Sequence, residues 1–176
     1  MNLYHLPQHK SAPKIINGIV EIPKGTSAKY EYDNNYDLFK LDRCLSSAMV
    51  YPCSYGFISS TLADDYDPLD LLVYNATPIQ TGTMVECEVI GVLDMEDEMV
   101  DGELVKDYKI LGVPTSHIRD YKSLGDIDSL FLDISKNFFS HYKDLNNKNV
   151  SVFNWLEKQA AWDIINEGIK SWMESQ

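Results

Sequence analysis

Over the first two-thirds of the chain, apolar positions gather in short runs separated by turn residues. Ile15–Ile22 is one such run and ends at Pro23-Lys24-Gly25, a turn signal. Residues 28–32 follow, then Asp33-Asn34-Asn35 as a turn, then 38–41 as a returning strand. Residues 56–58, 71–74, 84–93 and 108–113 read as further strands. Strands this closely spaced predict a small antiparallel β-barrel rather than βαβ units.

The last third changes period. From Ile127, apolar residues recur at Leu130, Ile134, Phe138 and Tyr142, one face of a helix that Asp126 or Asp128 can cap. A second stripe, Trp162, Ile165, Ile169 and Trp172, alternates spacings of three and four. Side chains that large are expected to dock a terminal helix on the barrel. The expectation is an α+β chain: an OB-like antiparallel barrel flanked by two C-terminal helices, with residues 1–176 as one domain.

Composition narrows the function. The 176 residues are 44% hydrophobic and 24% charged, as in an ordinary globular protein. A net charge of −12 repels nucleic acid and anionic lipid, so neither is an expected partner. A small anionic substrate stays open, because bound metal ions invert the local field. Cys44, Cys53 and Cys87 are odd in number and lack a C-x-x-C pair, which fits a reducing compartment. Residues 1–14 hold no apolar signal core, and no later stretch is apolar enough to span a bilayer. The expectation is a soluble cytoplasmic protein.

The candidate chemistry starts at Asp64-Asp65-Tyr66-Asp67-Pro68-Leu69-Asp70, just before the apolar run at 71–74. In an extended backbone Asp65 and Asp67 project to the same side, and Pro68 biases Asp67 toward that geometry. Carboxylates about 5 Å apart repel by roughly 3 kcal/mol per pair at an effective dielectric near 20. Such a loop needs cations, protons or water between its acids, and hard oxygen ligands suit Mg²⁺. An acidic surface turn is the plain alternative. An EF-hand loop fails, because counting from Asp65 places Asp70 where glycine belongs and Ala76 where glutamate belongs. A D-x-D-x-T phosphatase loop would place threonine at Leu69. Further acids cluster at residues 94–98 and at Asp107, each after an apparent strand. Such strand ends are usually solvated, and spacing alone does not bring Asp97 or Asp107 to Asp65.

Cations and phenols surround this segment in the sequence. Lys29 and Glu31 share one face of a strand, with Tyr30 and Tyr32 on the other. Asp42-Arg43, Tyr51-Pro52-Cys53-Ser54-Tyr55-Gly56 and His141-Tyr142-Lys143 add an arginine, a lysine and more tyrosines. Arginine clamps an anion bidentately and tyrosine donates an O–H to it. Each is ordinary alone; together, beside a metal-binding candidate, they are what phosphoryl transfer requires.

These residues resemble the soluble inorganic pyrophosphatases of the metal-dependent, bacterial family I type. Asp65-Tyr66-Asp67-Pro68-Leu69-Asp70 fits the signature D-x-D-P-hydrophobic-D. Glu21-Ile22-Pro23, Lys29-Tyr30-Glu31, Asp42-Arg43 and Tyr51-Pro52-Cys53-x-Tyr55-Gly56 precede it. Asp97-Glu98, Asp107-x-Lys109 and Phe138-Phe139-x-His141-Tyr142-Lys143-Asp144-Leu145 follow in order.

The resemblance implies Mg²⁺-dependent hydrolysis of pyrophosphate to two orthophosphates by in-line attack of a metal-activated water, with Asp67 as general base. It implies that Asp65, Asp70 and Asp107 hold an activating metal. It further implies that Asp97 and Asp107 hold a metal arriving with substrate and that Glu31 and Glu21 bind metal directly or through water. It implies too that Lys29, Arg43, Tyr55, Lys109, Tyr142 and Lys143 hold the phosphates and that the assembly is a hexamer. The loop 98–106 departs by being longer than in compact members, and His141 is a candidate neighbour of the site. The competing class is a non-catalytic OB-like module binding metal or single-stranded nucleic acid, which the charge of −12 opposes.

Overall fold

The computed structural model describes residues 2–98, 102–117, 119–146 and 148–176. Its strands are β1 (Ile15–Ile22), β2 (Ala28–Asp33), β3 (Leu38–Cys44), β4 (Ser54–Ile58), β5 (Asp70–Val73), β6 (Met84–Glu98), β7 (Leu104–Lys106), β8 (Lys109–Pro114) and β9 (Val150–Glu157). The helices are α1 (Ser129–His141) and α2 (Lys158–Glu174). The main sheet runs β1-β4-β5-β8-β6-β7, and β6 also pairs with β1 and β9. Because β1 pairs with both β4 and β6, five strands close into a ring, as an OB-like fold requires. The hairpin β2–β3 is a separate two-stranded sheet.

Two features depart from the sequence expectation. The ring is not wholly antiparallel, because β5 and β8 pair in parallel, with Asp70 opposite Lys109. The last third is not only helical, because β9 lies between the helices and lengthens the sheet along β6. β6 itself runs through residues 94–98, so those acids lie within a strand rather than after one. Asp94 and Glu96 ion-pair with Lys106 at 2.9 and 3.1 Å, and Glu98 accepts from the Asn149 amide at 3.0 Å. Of the long loop 98–106, residues 99–101 lie outside the described residues.

The ring strands are buried on both faces, and successive residues serve opposite cores. Leu72, Ile90, Leu93 and Leu111 join Phe138, Phe139 and Tyr142 of the α1 segment. Leu71, Val73, Val89, Val92 and Ile110 join Ala161 and Ile165 of α2. This two-sided burial explains why those strands read as continuous apolar runs. Gly56 allows the closest strand approach, since a Cβ there would stand 1.8 Å from the Ile19 carbonyl oxygen.

The Asp128 side chain caps α1 by accepting from the Leu130 amide at 3.0 Å, while Asp126 accepts from the Lys122 and Ser123 amides instead. The expected face of α1 is only half right. Phe138 and Tyr142 are buried, but Leu130 and Ile134 are 61% and 48% exposed. The helix is rotated so that Ser135, Phe138 and Phe139 face inward. On α2, Ile165 is fully buried with Trp162 and Ile169 packed beside it, as the stripe predicts. Among the described residues no helix is long and apolar enough to cross a membrane.

Candidate active site

The strand ends, the 64–67 turn and the end of α1 converge on a cavity of about 510 Å³. Glu21 reaches it from β1, Lys29 and Glu31 from β2, Tyr55 from β4, and Asp70 from the first position of β5. Asp97 comes from β6, Asp107 from the link between β7 and β8, Lys109 from the first position of β8, and Tyr142 and Lys143 from just past α1. Asp65 and Asp67 complete the wall. Twelve of the thirteen residues proposed from the sequence thus line one space. Arg43 does not line it; its guanidinium donates to Asp42, which does, at 2.5 Å.

The acidic segment is a turn rather than the extended stretch expected. Tyr66 takes a left-handed φ of 69°, the Asp67 amide donates to Asp65 Oδ1 at 3.1 Å, and the Ala63 amide donates to the Asp67 carbonyl at 2.8 Å. Thr61 ties the two ends together, donating to the Ile58 carbonyl at 2.6 Å and accepting from the Leu69 amide at 3.0 Å. The loop is therefore held rigidly, and its two carboxylates still face the cavity.

Ammonium groups sit between the acids. Buried Lys109 donates to both Asp70 and Asp107, the latter at 2.5 Å, and lies over the Tyr55 and Phe139 rings at 5.7 and 5.9 Å. Burial opposes its charge, but Asp107 and Asp70 outweigh that and hold it well above the ordinary lysine value. Lys143 donates to Asp97, and burial lowers its value. Lys29 donates to Glu31 and stands 3.5 Å from Asp42.

Nine carboxylates and four lysines line the cavity, so its negative charge is not balanced internally. Burial, with Asp65 and Asp70 adding, pushes Asp67 up to about 6. Burial pushes Glu21 up to about 8 although the Tyr32 amide donates to it at 2.7 Å. Burial likewise holds the Tyr55 and Tyr142 phenols well above their ordinary value, so both keep a proton to donate.

The donor set fits a hard divalent cation: every candidate ligand is a carboxylate, and no His or Cys is among the lining residues. Lys109, between Asp70 and Asp107, already occupies the position of a cation between two acids. Among the described residues no group of three or more Asp, Glu, His or Cys is drawn into a ready-made cage. His141 is exposed and bonds Asp144 at 2.9 Å, away from the lining. Tyr4 and Lys40 line the cavity although the sequence reading did not select them. Lys40 pairs across the hairpin with Glu31 because the turn spans residues 34–37 and closes on Asp33 opposite Leu38, a register that the turn expected at 33–35 does not give. Nothing local to residues 2–6 points to Tyr4.

The site is thus a carboxylate-rich, lysine-bridged cavity at one end of a closed β-ring. A model of the family described as inorganic pyrophosphatase matches residues 18–173. The chain belongs to the inorganic pyrophosphatase family. The inorganic pyrophosphatase of Campylobacter jejuni is 43% identical over 165 residues, covering 91% of this chain and 93% of the relative. That of Rhodospirillum rubrum is 39% identical over 175 residues, covering 96% and 95%. The crystal structure of inorganic pyrophosphatase from Thermus thermophilus matches with a TM-score of 0.92 at 37% identity, covering 98% of this chain and 99% of that one.

Proposed function

We propose that this chain hydrolyses inorganic pyrophosphate to two orthophosphates and requires Mg²⁺. The observation that carries the reading is the excess of carboxylates over lysines in one cavity, with a buried lysine already bridging two of the acids. Asp65, Asp70, Asp97, Asp107, Glu31 and Glu21 would hold the cations. When bound, Mg²⁺ supplies charge neutralisation for the phosphates and acidifies water.

The remaining work falls to the chain's own groups. Asp67, at about 6, is mostly ionised near neutral pH yet basic enough to accept a proton from the attacking water. The ammonium groups of Lys29, Lys109 and Lys143 take phosphate oxygens, and the protonated Tyr55 and Tyr142 phenols donate hydrogen bonds to them. Arg43, at the rim beside Asp42, reaches the outer phosphate by exchanging that partner. Attack by water requires no Ser or Cys nucleophile. The full reading is one domain over residues 1–176, acting in the cytoplasm as a homo-oligomer, a hexamer by resemblance.

Phosphate release from pyrophosphate by purified protein, with Mg²⁺ and then with excess EDTA, tests it. Rapid release that EDTA abolishes is expected; no release with any of several divalent metals would overturn the reading.

A further inference from the structure

The hairpin β2–β3 carries Lys29, Glu31 and Asp42 into the cavity but shares no ladder with the main sheet. The N-terminal segment supplies a bridge between the two. Its 3-10 turn, Leu3–His5, is anchored beside the end of β4: the Ser60 amide donates to the Tyr4 carbonyl at 2.8 Å, and the Ser60 hydroxyl to the Leu6 carbonyl at 2.8 Å. From that anchor the turn grips one residue of the hairpin, Tyr32. The Tyr4 hydroxyl donates to the Tyr32 carbonyl at 3.2 Å, and the Leu3 amide donates to the Tyr32 hydroxyl at 3.1 Å. The Tyr4 ring stands edge-on to Tyr32 at 5.2 Å and to Phe57 of β4 at 5.0 Å.

Tyr32 passes the grip to the site. Its amide donates to Glu21 at 2.7 Å, and its backbone follows directly on Glu31. Tyr4 also lines the cavity itself. Burial, then Glu21, Asp67 and Glu31, raises its phenol, which keeps the proton available for the Tyr32 carbonyl.

We propose that Tyr4 is a positioning residue for pyrophosphate hydrolysis: it clamps the β2–β3 hairpin against β4, so that Lys29 and Glu31 face the acids of the main sheet. The role in catalysis rests on the hydrolysis reading above; the clamp itself does not. Without Tyr4 the hairpin keeps its own ladder but loses one hydrogen bond and one ring contact to the N-terminal turn, and the turn loses its ring contact to Phe57 of β4. The cavity then has to gather Lys29 and Glu31 as substrate binds, which weakens substrate capture more than turnover.

Two measurements on the full chain separate the claims. In hydrogen–deuterium exchange of EDTA-treated protein, Tyr4→Ala should speed exchange in residues 28–44 by about ten-fold or more, with the ring strands unchanged. Tyr4→Phe, which keeps the rings and loses the hydroxyl, should fall between wild type and Tyr4→Ala. In phosphate release with Mg²⁺, Tyr4→Ala should raise the pyrophosphate KM by about ten-fold with kcat within about three-fold, and Tyr4→Phe should recover most of it. In a Lys29→Ala background the further effect of Tyr4→Ala on KM should shrink, because both act through the hairpin. Unchanged exchange in the hairpin would overturn the clamp. Faster exchange with unchanged KM would overturn its role in the reaction. A wild type that releases no phosphate would sink the hydrolysis reading, and the clamp would then stand or fall on exchange alone.

Discussion

Glu21 offers the sharpest test of how the cavity tolerates its own charge. The side chain is buried at the end of β1, and burial lifts its carboxyl from 4.5 to about 8, partly offset by the Tyr32 amide. At 1.4 kcal/mol per factor of ten, that displacement corresponds to about 5 kcal/mol. The unfolded chain gives up this proton near 4.5, whereas the folded, metal-free chain keeps it to about 8. Stability therefore falls as pH rises through that window, and the full penalty is present above it. Glu21→Gln removes the ionisation but keeps an oxygen for the Tyr32 amide. Urea unfolding of EDTA-treated wild type and variant measures the difference. The two should agree within about 1 kcal/mol near pH 5, and the variant should lead by on the order of 5 kcal/mol near pH 9. Saturating Mg²⁺ should return the advantage to wild type, since a carboxylate holds the cation better than an amide does. A variant lead that stays flat across that range would refute the reasoning.

Two other substitutions probe different parts of the site. Asp67→Asn should lower kcat by about 10²–10⁴ while calorimetry still detects Mg²⁺ binding. In EDTA-treated wild type this carboxylate should titrate near 6 by NMR, and the rate with Mg²⁺ should already be near its plateau there, because cations on Asp65 and Asp70 offset their charge. Lys109→Met should destabilise the EDTA-treated protein by about 3–5 kcal/mol in urea unfolding, because Asp70 and Asp107 lose their shared cation; added Mg²⁺ should restore much of the loss.

How far the sequence carried can be judged residue by residue. The ring strands were legible because burial on both faces leaves them almost purely apolar, as in Leu71-Leu72-Val73. β9 was not: Val150-Ser151-Val152-Phe153-Asn154-Trp155 has no fully buried position and runs straight into α2, so neither a clean alternation nor a turn marks it. The parallel pairing of β5 with β8 has no local signature at all, since it depends on where two distant strands meet. Asp97 was partly legible. It lies two and four residues beyond Met95 and Leu93, both buried in the core that includes Tyr142. Continuing that alternation carries Asp97 to Lys143. The outward turn of Leu130 and Ile134 was hidden, because a helical stripe gives a period but not the rotation that larger neighbours such as Phe139 impose.

The parallel register that sets Asp70 beside Lys109 also governs when the site comes into being. The two residues are 39 positions apart, and the intervening chain must travel out along β6, back through β7 and into β8 before they meet. No hairpin closing early in folding can assemble them, and pairings of such sequence separation are slow to form. A partly folded chain thus presents Asp70 and Asp107 as scattered, hydrated acids with no shared cation between them. On the proposed function, tight cation capture should appear during refolding only once β5 has paired with β8.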